Sequence, residues 1–296
     1  MDKYLIINAD DFGMCRAANM AVADLFEKGG ITSSTIMTPC GWAKNAGVWA
    51  KNNPQHAVGV HLTFTSEWGE YRWGPVASDN TASLRDSEGF MHHESDQFEE
   101  AADLDEVEAE IRAQIERFKS FGVEPSHLDN HMGSLYGIAT GRLELLQLIF
   151  DIAAEYKLPF RFPGTFIPEM MGNEMLDIQI PKEIIEMAFS KFTAYAKDHG
   201  VLMPDYLIPG DWSGPWKDDY EQYREYIYEL YRSFPAGVTE TYIHPAFECD
   251  ELKAITGSWE RRVWEHKLFS DPKTLQHIKA LGIELISYRD LARIKG

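Results

Sequence analysis

Two adjacent carboxylates, Asp10 and Asp11, follow the apolar run Tyr4-Leu5-Ile6-Ile7 and precede Phe12-Gly13. Such a run, broken by Asp, Asp and Gly, reads as a buried strand that leaves the core and opens into a loop at its C-terminal end. Adjacent carboxylates repel, so burying both calls for a compensating cation. A metal held by one while the other takes protons meets that demand. The competing reading is an Asx-type turn capping a helix that begins near Arg16.

Other strand ends carry polar groups of the same kind: His61 in Gly59-Val60-His61, then His127, Asp129 and His131 in one run, and His244 after Thr241-Tyr242-Ile243. Side chains at i, i+2 and i+4 of an extended segment face the same way, so His127, Asp129 and His131 could share one site. One carboxylate and two imidazoles suit a divalent transition ion that keeps positions open for water and substrate. A carboxylate beside a ligating histidine orients its ring, a natural task for Asp129. His127, at the strand's start, lies away from the catalytic rim and reads as structural. His56, His92, His93, His199, His266 and His277 fall on helices, loops or ends and receive no role. The same donor set also serves non-haem iron oxygen chemistry, but the Asp pair argues for hydrolysis.

These groups need a scaffold that brings strand ends together. Helical spacing over Ala17 to Phe26 stops at Gly29-Gly30; Ser33 to Met37 reads as a strand, Trp42 to Lys51 as a helix and Ala57 to Thr63 as a strand. The alternation lapses from Phe64 to about Asp103, in a stretch containing Trp68, Tyr71 and Trp73; this reads as an inserted lid with its own small aromatic core or as a sugar-stacking surface. It resumes with a helix over Leu104 to Phe121, a strand from His127 running into a loop near Gly133, a helix over Gly141 to Tyr156 and a short strand over Leu158 to Pro163. An irregular Met- and Pro-rich stretch follows, then a helix from Lys182 to His199, a strand from Leu202 to Ile208, a helix from Tyr220 to Phe234 and a strand over Thr239 to His244. Two helical segments between Ser258 and Ala280 and a strand over Ile283 to Ser287 complete the series. Strand and helix alternating in this way predict an α/β fold with a parallel sheet or barrel. With no internal repeat or linker, residues 1–296 read as one domain.

Composition narrows the partners. The 296 residues are 44% hydrophobic, ample for a core, and carry a net charge of −19, which repels nucleic acid and acidic membranes. A neutral or cationic small molecule fits better. Cys15, Cys40 and Cys249 are odd in number and widely spaced, which indicates neither a disulfide framework nor a zinc ribbon. With no basic leader and no apolar stretch of spanning length, the expectation is a cytoplasmic protein.

Asn8-Ala9-Asp10-Asp11-Phe12-Gly13, Gly59-Val60-His61, His127-Leu128-Asp129-Asn130-His131 and His244-Pro245-Ala246-Phe247 together resemble the successive motifs of the YdjC-like carbohydrate deacetylases, the group containing the chitooligosaccharide deacetylases. The resemblance runs almost the whole chain, to Ser287-Tyr288-Arg289-Asp290-Leu291. It implies a distorted (β/α) TIM-like barrel of the polysaccharide deacetylase superfamily, with residues 64–104 as an insertion, that removes acetyl groups from acetamido sugars with one divalent ion, magnesium or zinc. Carried over by residue, it makes Asp11, His61 and His131 the metal ligands, Asp10 the general base and a protonated His244 the general acid. Arg161-Phe162-Pro163 resembles the superfamily's arginine motif, whose arginine holds the catalytic aspartate, and Asp211-Trp212 resembles its Asp-Trp motif. One departure is that His131 is followed by Met132-Gly133-Ser134 rather than by further histidines, so the particular sugar is not inherited with the family. A metal hydrolase of another amide or ester, and an inactive carbohydrate-binding protein on the same scaffold, remain alternatives. A homodimer fits a sugar enzyme of this kind, with no residue arguing for it.

Overall fold

The structure, a computed structural model, describes residues 2–165 and 182–295. The irregular Met- and Pro-rich stretch lies almost wholly outside the described residues. Strand β1 (Lys3–Phe12) is the centre of a parallel sheet completed by β2 (Ser33–Ile36), β3 (Ala57–Leu62), β4 (Leu128–Asn130), β5 (Tyr206–Leu207), β6 (Gly237–Ile243) and β7 (Ile283–Leu285), in the order β4-β3-β2-β1-β6-β5. β7 pairs with the start of β1 (Lys3 to Leu5), and β2 with its later part, from Asn8 to Phe12. Parallel strands need crossovers, and helices provide them: α1 (Arg16–Lys28), α2 (Ala43–Asn52), α3 (Ser95–Ala101), α4 (Leu104–Ser120), α5 (Glu144–Tyr156), α6 (Lys182–Asp198), α7 (Tyr220–Ser233), α8 (Asp250–Ile255), α9 (Trp259–Ser270), α10 (Pro272–Ala280) and α11 (Leu291–Lys295).

The predicted strand over Leu158 to Pro163 shrinks to a single bridge between Phe160 and Leu128. Pro159 and Pro163 have no N–H to give to a ladder. The remaining backbone groups still curl the sheet toward closure: Arg161 N–H donates to Leu128 C=O, Phe160 N–H to Leu202 C=O, and Asp205 N–H to Val238 C=O on β6. The result is a curled parallel sheet of distorted-barrel form.

Between Phe64 and Asp103 the expectation of irregular chain holds as far as Glu94, after which α3 forms. A capping box between Glu94 and Gln97 starts this helix and Phe98 is its buried anchor. Seven residues around a single apolar anchor leave no readable period. Trp68, Tyr71 and Trp73 pack edge-on and stacked with centroids 5.5–6.3 Å apart. They join Met14, Met37, Cys40 and Met91 in a second apolar cluster, so the aromatic residues pack against the body of the fold. No helix among the described residues is long and apolar enough to cross a membrane.

Polar side chains are buried among the strands. His127 is fully buried: its ring stacks on Tyr288 at 3.7 Å, and its Nε2 meets Asn8 Oδ1 at 3.2 Å. It occupies space left by Gly59, where a Cβ would fall 2.4 Å from the His127 carbonyl oxygen and 2.7 Å from its Nδ1. Gly59→Ala therefore forces backbone and ring apart; it is expected to destabilise the fold by about 1–3 kcal/mol, read as a lower urea midpoint with unchanged slope.

Candidate metal centre and active site

The Asp pair reaches one cavity because β1 is irregular there. Neighbours on a regular strand face opposite sides of the sheet. The pairing of β1 with β2 slips between Ala9 and Phe12, and Asp11 adopts a left-handed φ of 60°. This bulge turns both carboxylates inward. The helix-cap alternative fails: Cys15 is the N-cap of α1 and no side chain caps it.

Asp11 Oδ1 lies 3.5 Å from His61 Nε2 and 3.5 Å from His131 Nδ1. Buried Oδ1 has no hydrogen-bond partner, whereas Oδ2 accepts from Arg262 Nη1 at 2.8 Å. Donors bound to one cation at about 2.1 Å stand roughly 3–3.5 Å apart, so an orphaned carboxylate oxygen facing two imidazoles fits a divalent ion. Asp129 Oδ1 meets the other ring nitrogen of His61, Nδ1, at 2.7 Å. A second group, Asp10, His61 and Asp129, has metal-like spacing, but Arg161 already pairs with both of its carboxylates. A third, Asp86, Glu88 and His93, encloses the Arg72 guanidinium.

Arg161 binds both oxygens of Asp10 at 2.7 Å, and it also reaches Asp129 Oδ2 at 2.9 Å and Glu240 Oε1 at 2.8 Å. Burial opposes ionisation of Asp10, but the Arg161 guanidinium, by charge and by hydrogen bond, together with the His61 ring outweighs it and brings the carboxyl down to about 2. Asp11 is likewise held well below the usual range: burial works against its charge, and Arg262 together with the His131 and His61 rings more than compensates. Burial disfavours charge on His61 and His131 as well, yet the facing carboxylates, Asp129 first for His61 and Glu67 first for His131, push the rings up to about 10 and about 9.

His244 lines the same cavity of about 330 Å³, with its Nδ1 buried and unpartnered. Burial pushes its ring down to about 4. In the free protein it is therefore neutral at neutral pH, not the standing imidazolium expected. Trp212 also lines the cavity, edge-on to His244 at 5.2 Å. The Asp211 carboxylate is not brought to the cavity: it accepts from the backbone N–H and hydroxyl of Ser213, closing its own turn.

The profile of the YdjC-like proteins matches residues 4–280. The chain belongs to the YdjC-like family. Among its relatives is a carbohydrate deacetylase of Clostridium beijerinckii, 26% identical over 288 residues, covering 97% of this chain and 99% of the relative. A chitooligosaccharide deacetylase of Yersinia enterocolitica is 27% identical over 301 residues, covering 98% and 100%. A solved structure from Enterococcus faecalis, described as a putative cellobiose-phosphate cleavage protein, superposes with a TM-score of 0.75 at 26% identity, covering 98% of this chain and 99% of that one.

This YdjC-like chain also places at the site residues that the sequence reading passed over. Arg262 and Glu265 both come from α9: Arg262 holds Asp11, while Glu265 accepts from the His244 backbone N–H at 2.6 Å and from the Trp212 indole N–H at 3.2 Å. Adjacent arginines on a weakly amphipathic helix gave little warning. Glu240 left only a weak signal, a carboxylate at the middle of a strand in which Thr239 and Thr241 are also buried; a buried carboxylate requires a cation. Glu67, in irregular chain beyond β3, left no signal.

Removing Arg161 leaves three buried carboxylates short of a cation, and Arg161→Met is expected to cost about 3–5 kcal/mol of stability, measured by urea unfolding. His61 and His131 must shed protons to ligate. Divalent-metal affinity, followed by calorimetry, should therefore rise with pH up to the range where these rings become neutral.

Proposed function

We propose that this protein is a metal-dependent carbohydrate deacetylase that hydrolyses N-acetyl groups of acetamido sugars or small oligosaccharides. The observation that carries the reading is the unpartnered Asp11 Oδ1 facing His61 and His131 beside an ionised, arginine-held Asp10. The names of the family relatives support the substrate class. Residues 1–296 act as one barrel domain, with residues 64–104 as an insertion beside the cavity. The protein works in the cytoplasm, on a small carbohydrate.

Asp11, His61 and His131 would hold one divalent ion, and two imidazoles in the set favour zinc over magnesium, which prefers oxygen donors. Such an ion supplies Lewis-acid chemistry, lowering the pKa of water and polarising a carbonyl oxygen. The protein's own groups do the rest. Asp10, kept ionised by Arg161, accepts the proton of the attacking water. The amine leaves only when protonated, and His244, edge-on to Trp212 and backed by Glu265, hands that proton to the sugar nitrogen. Because His244 is neutral in the free protein, the proton it delivers is one received within the cycle, with Asp10 as its source. A positioned acid of this kind contributes typically ~10²–10⁴-fold.

The test is acetate release from a panel of N-acetylated mono- and oligosaccharides by metal-stripped protein reloaded with single divalent ions. Metal-dependent acetate is expected. Asp10→Asn should lose turnover by at least ~10²-fold while still binding metal, whereas His131→Ala should lose both. Full activity in Asp10→Asn would remove the assigned base. Stoichiometric metal with no acetate from any sugar would turn the reading toward another amide or ester, or toward a binding role.

A further inference from the structure

The two imidazoles at the candidate centre are held in different ways. His61 turns Nε2 toward Asp11 and has Asp129 behind its Nδ1; His131 turns Nδ1 toward Asp11. Behind His131, at 3.0 Å from its Nε2, stands Glu67 Oε2. Glu67 belongs to the irregular chain after β3, while His131 opens a 3-10 turn after β4. That turn is strained, with consecutive left-handed residues at Met132 (φ 53°) and Gly133 (φ 64°).

Resting on the metal-centre reading above, we infer that Glu67 is the positioning residue of His131. It accepts the Nε2 proton and thereby leaves the Nδ1 lone pair free to face the ion. A neutral imidazole carries its proton on one nitrogen only, and the partner of that nitrogen selects which. Without Glu67 the proton can sit on Nδ1, the nitrogen directed at Asp11, and that tautomer cannot ligate. The arrangement mirrors the one that Asp129 gives His61. Glu67 itself is outside the donor group, since it faces the other ring nitrogen of His131 and is absent from the close set of Asp11, His61 and His131.

The surrounding chain keeps Glu67 in register with His131. Thr65 directs its hydroxyl to Met132 Sδ at 3.4 Å, and the Ser95 hydroxyl donates to the Met132 carbonyl at 2.8 Å. Ser66 N–H donates to His92 C=O at 2.7 Å, and His93 Nδ1 lies 3.3 Å from the Glu67 carbonyl oxygen. The post-β3 segment is thus fastened to the turn that carries His131, so its placement bears on metal affinity.

The experiment titrates metal-free protein with zinc by calorimetry and records proton NMR spectra of the cobalt-loaded protein. Wild type is expected to bind one ion and to show two strongly shifted exchangeable imidazole N–H signals, one per ligating ring. Glu67→Ala should bind zinc about 10–100-fold more weakly and lose one of the two signals to solvent exchange, in protein whose circular dichroism shows it folded. Glu67→Gln, which keeps a neutral acceptor, should recover part of the affinity and the missing signal. Wild-type affinity with both signals in Glu67→Ala would overturn the inference. Should that variant not fold, Glu67→Gln decides by the same two readouts, with unchanged affinity and unchanged N–H exchange counting against it. If wild type bound no divalent ion, the metal-centre reading itself would fall.

Discussion

Buried negative charge governs the architecture of this site. Asp10, Asp129 and Glu240 converge inside the curled sheet, and Arg161 is the cation that makes their burial tolerable. A desolvated ion pair is favourable only when geometry is good and remaining polar atoms are satisfied. Here the guanidinium spreads its donors over all three carboxylates, Thr35 donates to Asp129 at 2.8 Å, and the Tyr288 hydroxyl donates to Glu240. Burial still lifts Glu240 to about 7 despite Arg161. The guanidinium goes preferentially to Asp10, in a two-pronged contact that fixes both its charge and its direction.

Arg262 repeats the device one position along the chain, but on a single oxygen. It satisfies Asp11 Oδ2 and leaves Oδ1 bare between two imidazoles. The adjacent aspartates therefore differ in chemistry through their arginines: both oxygens of Asp10 are engaged, whereas Asp11 keeps one free acceptor. The strain that permits this is local, a left-handed Asp11 at the β1 bulge and left-handed Met132 and Gly133 beyond β4. Strained backbone persists where surrounding structure over-determines it, and here fully buried parallel strands do so.

Much of this was legible in the sequence because strand ends in a parallel fold have a fixed chemical place. Asp10, Asp11, His61, His131 and His244 sat at or near the ends of strands read from the sequence, and the structure brings all five to one cavity. Alternation of apolar strands and amphipathic helices gave the sheet, and the losses came at Pro159, Pro163 and Pro204, where missing N–H groups shorten strands. What stayed hidden depends on tertiary geometry. Whether Asp10 and Asp11 face one side turns on a bulge that no propensity encodes. Glu67, Arg262 and Glu265 reach the site from a loop and from a helix whose weak amphipathicity does not say which face meets the site. The Asp211-Trp212 pair shows the limit of short matches, since only its tryptophan lines the cavity.

The counter-charges lie far from their carboxylates along the chain. Arg161 is 151 residues beyond Asp10, and Arg262 is 251 beyond Asp11. Contacts of such separation form against a large loop-closure entropy and set the pace of folding more than local helices do. During synthesis the aspartates therefore emerge long before their arginines, and in that interval they stay hydrated rather than buried. Because β1 needs β6 and β7 as neighbours and Asp11 needs Arg262 from α9, completion of the sheet and full dehydration of the site both wait for the C-terminal part of the chain.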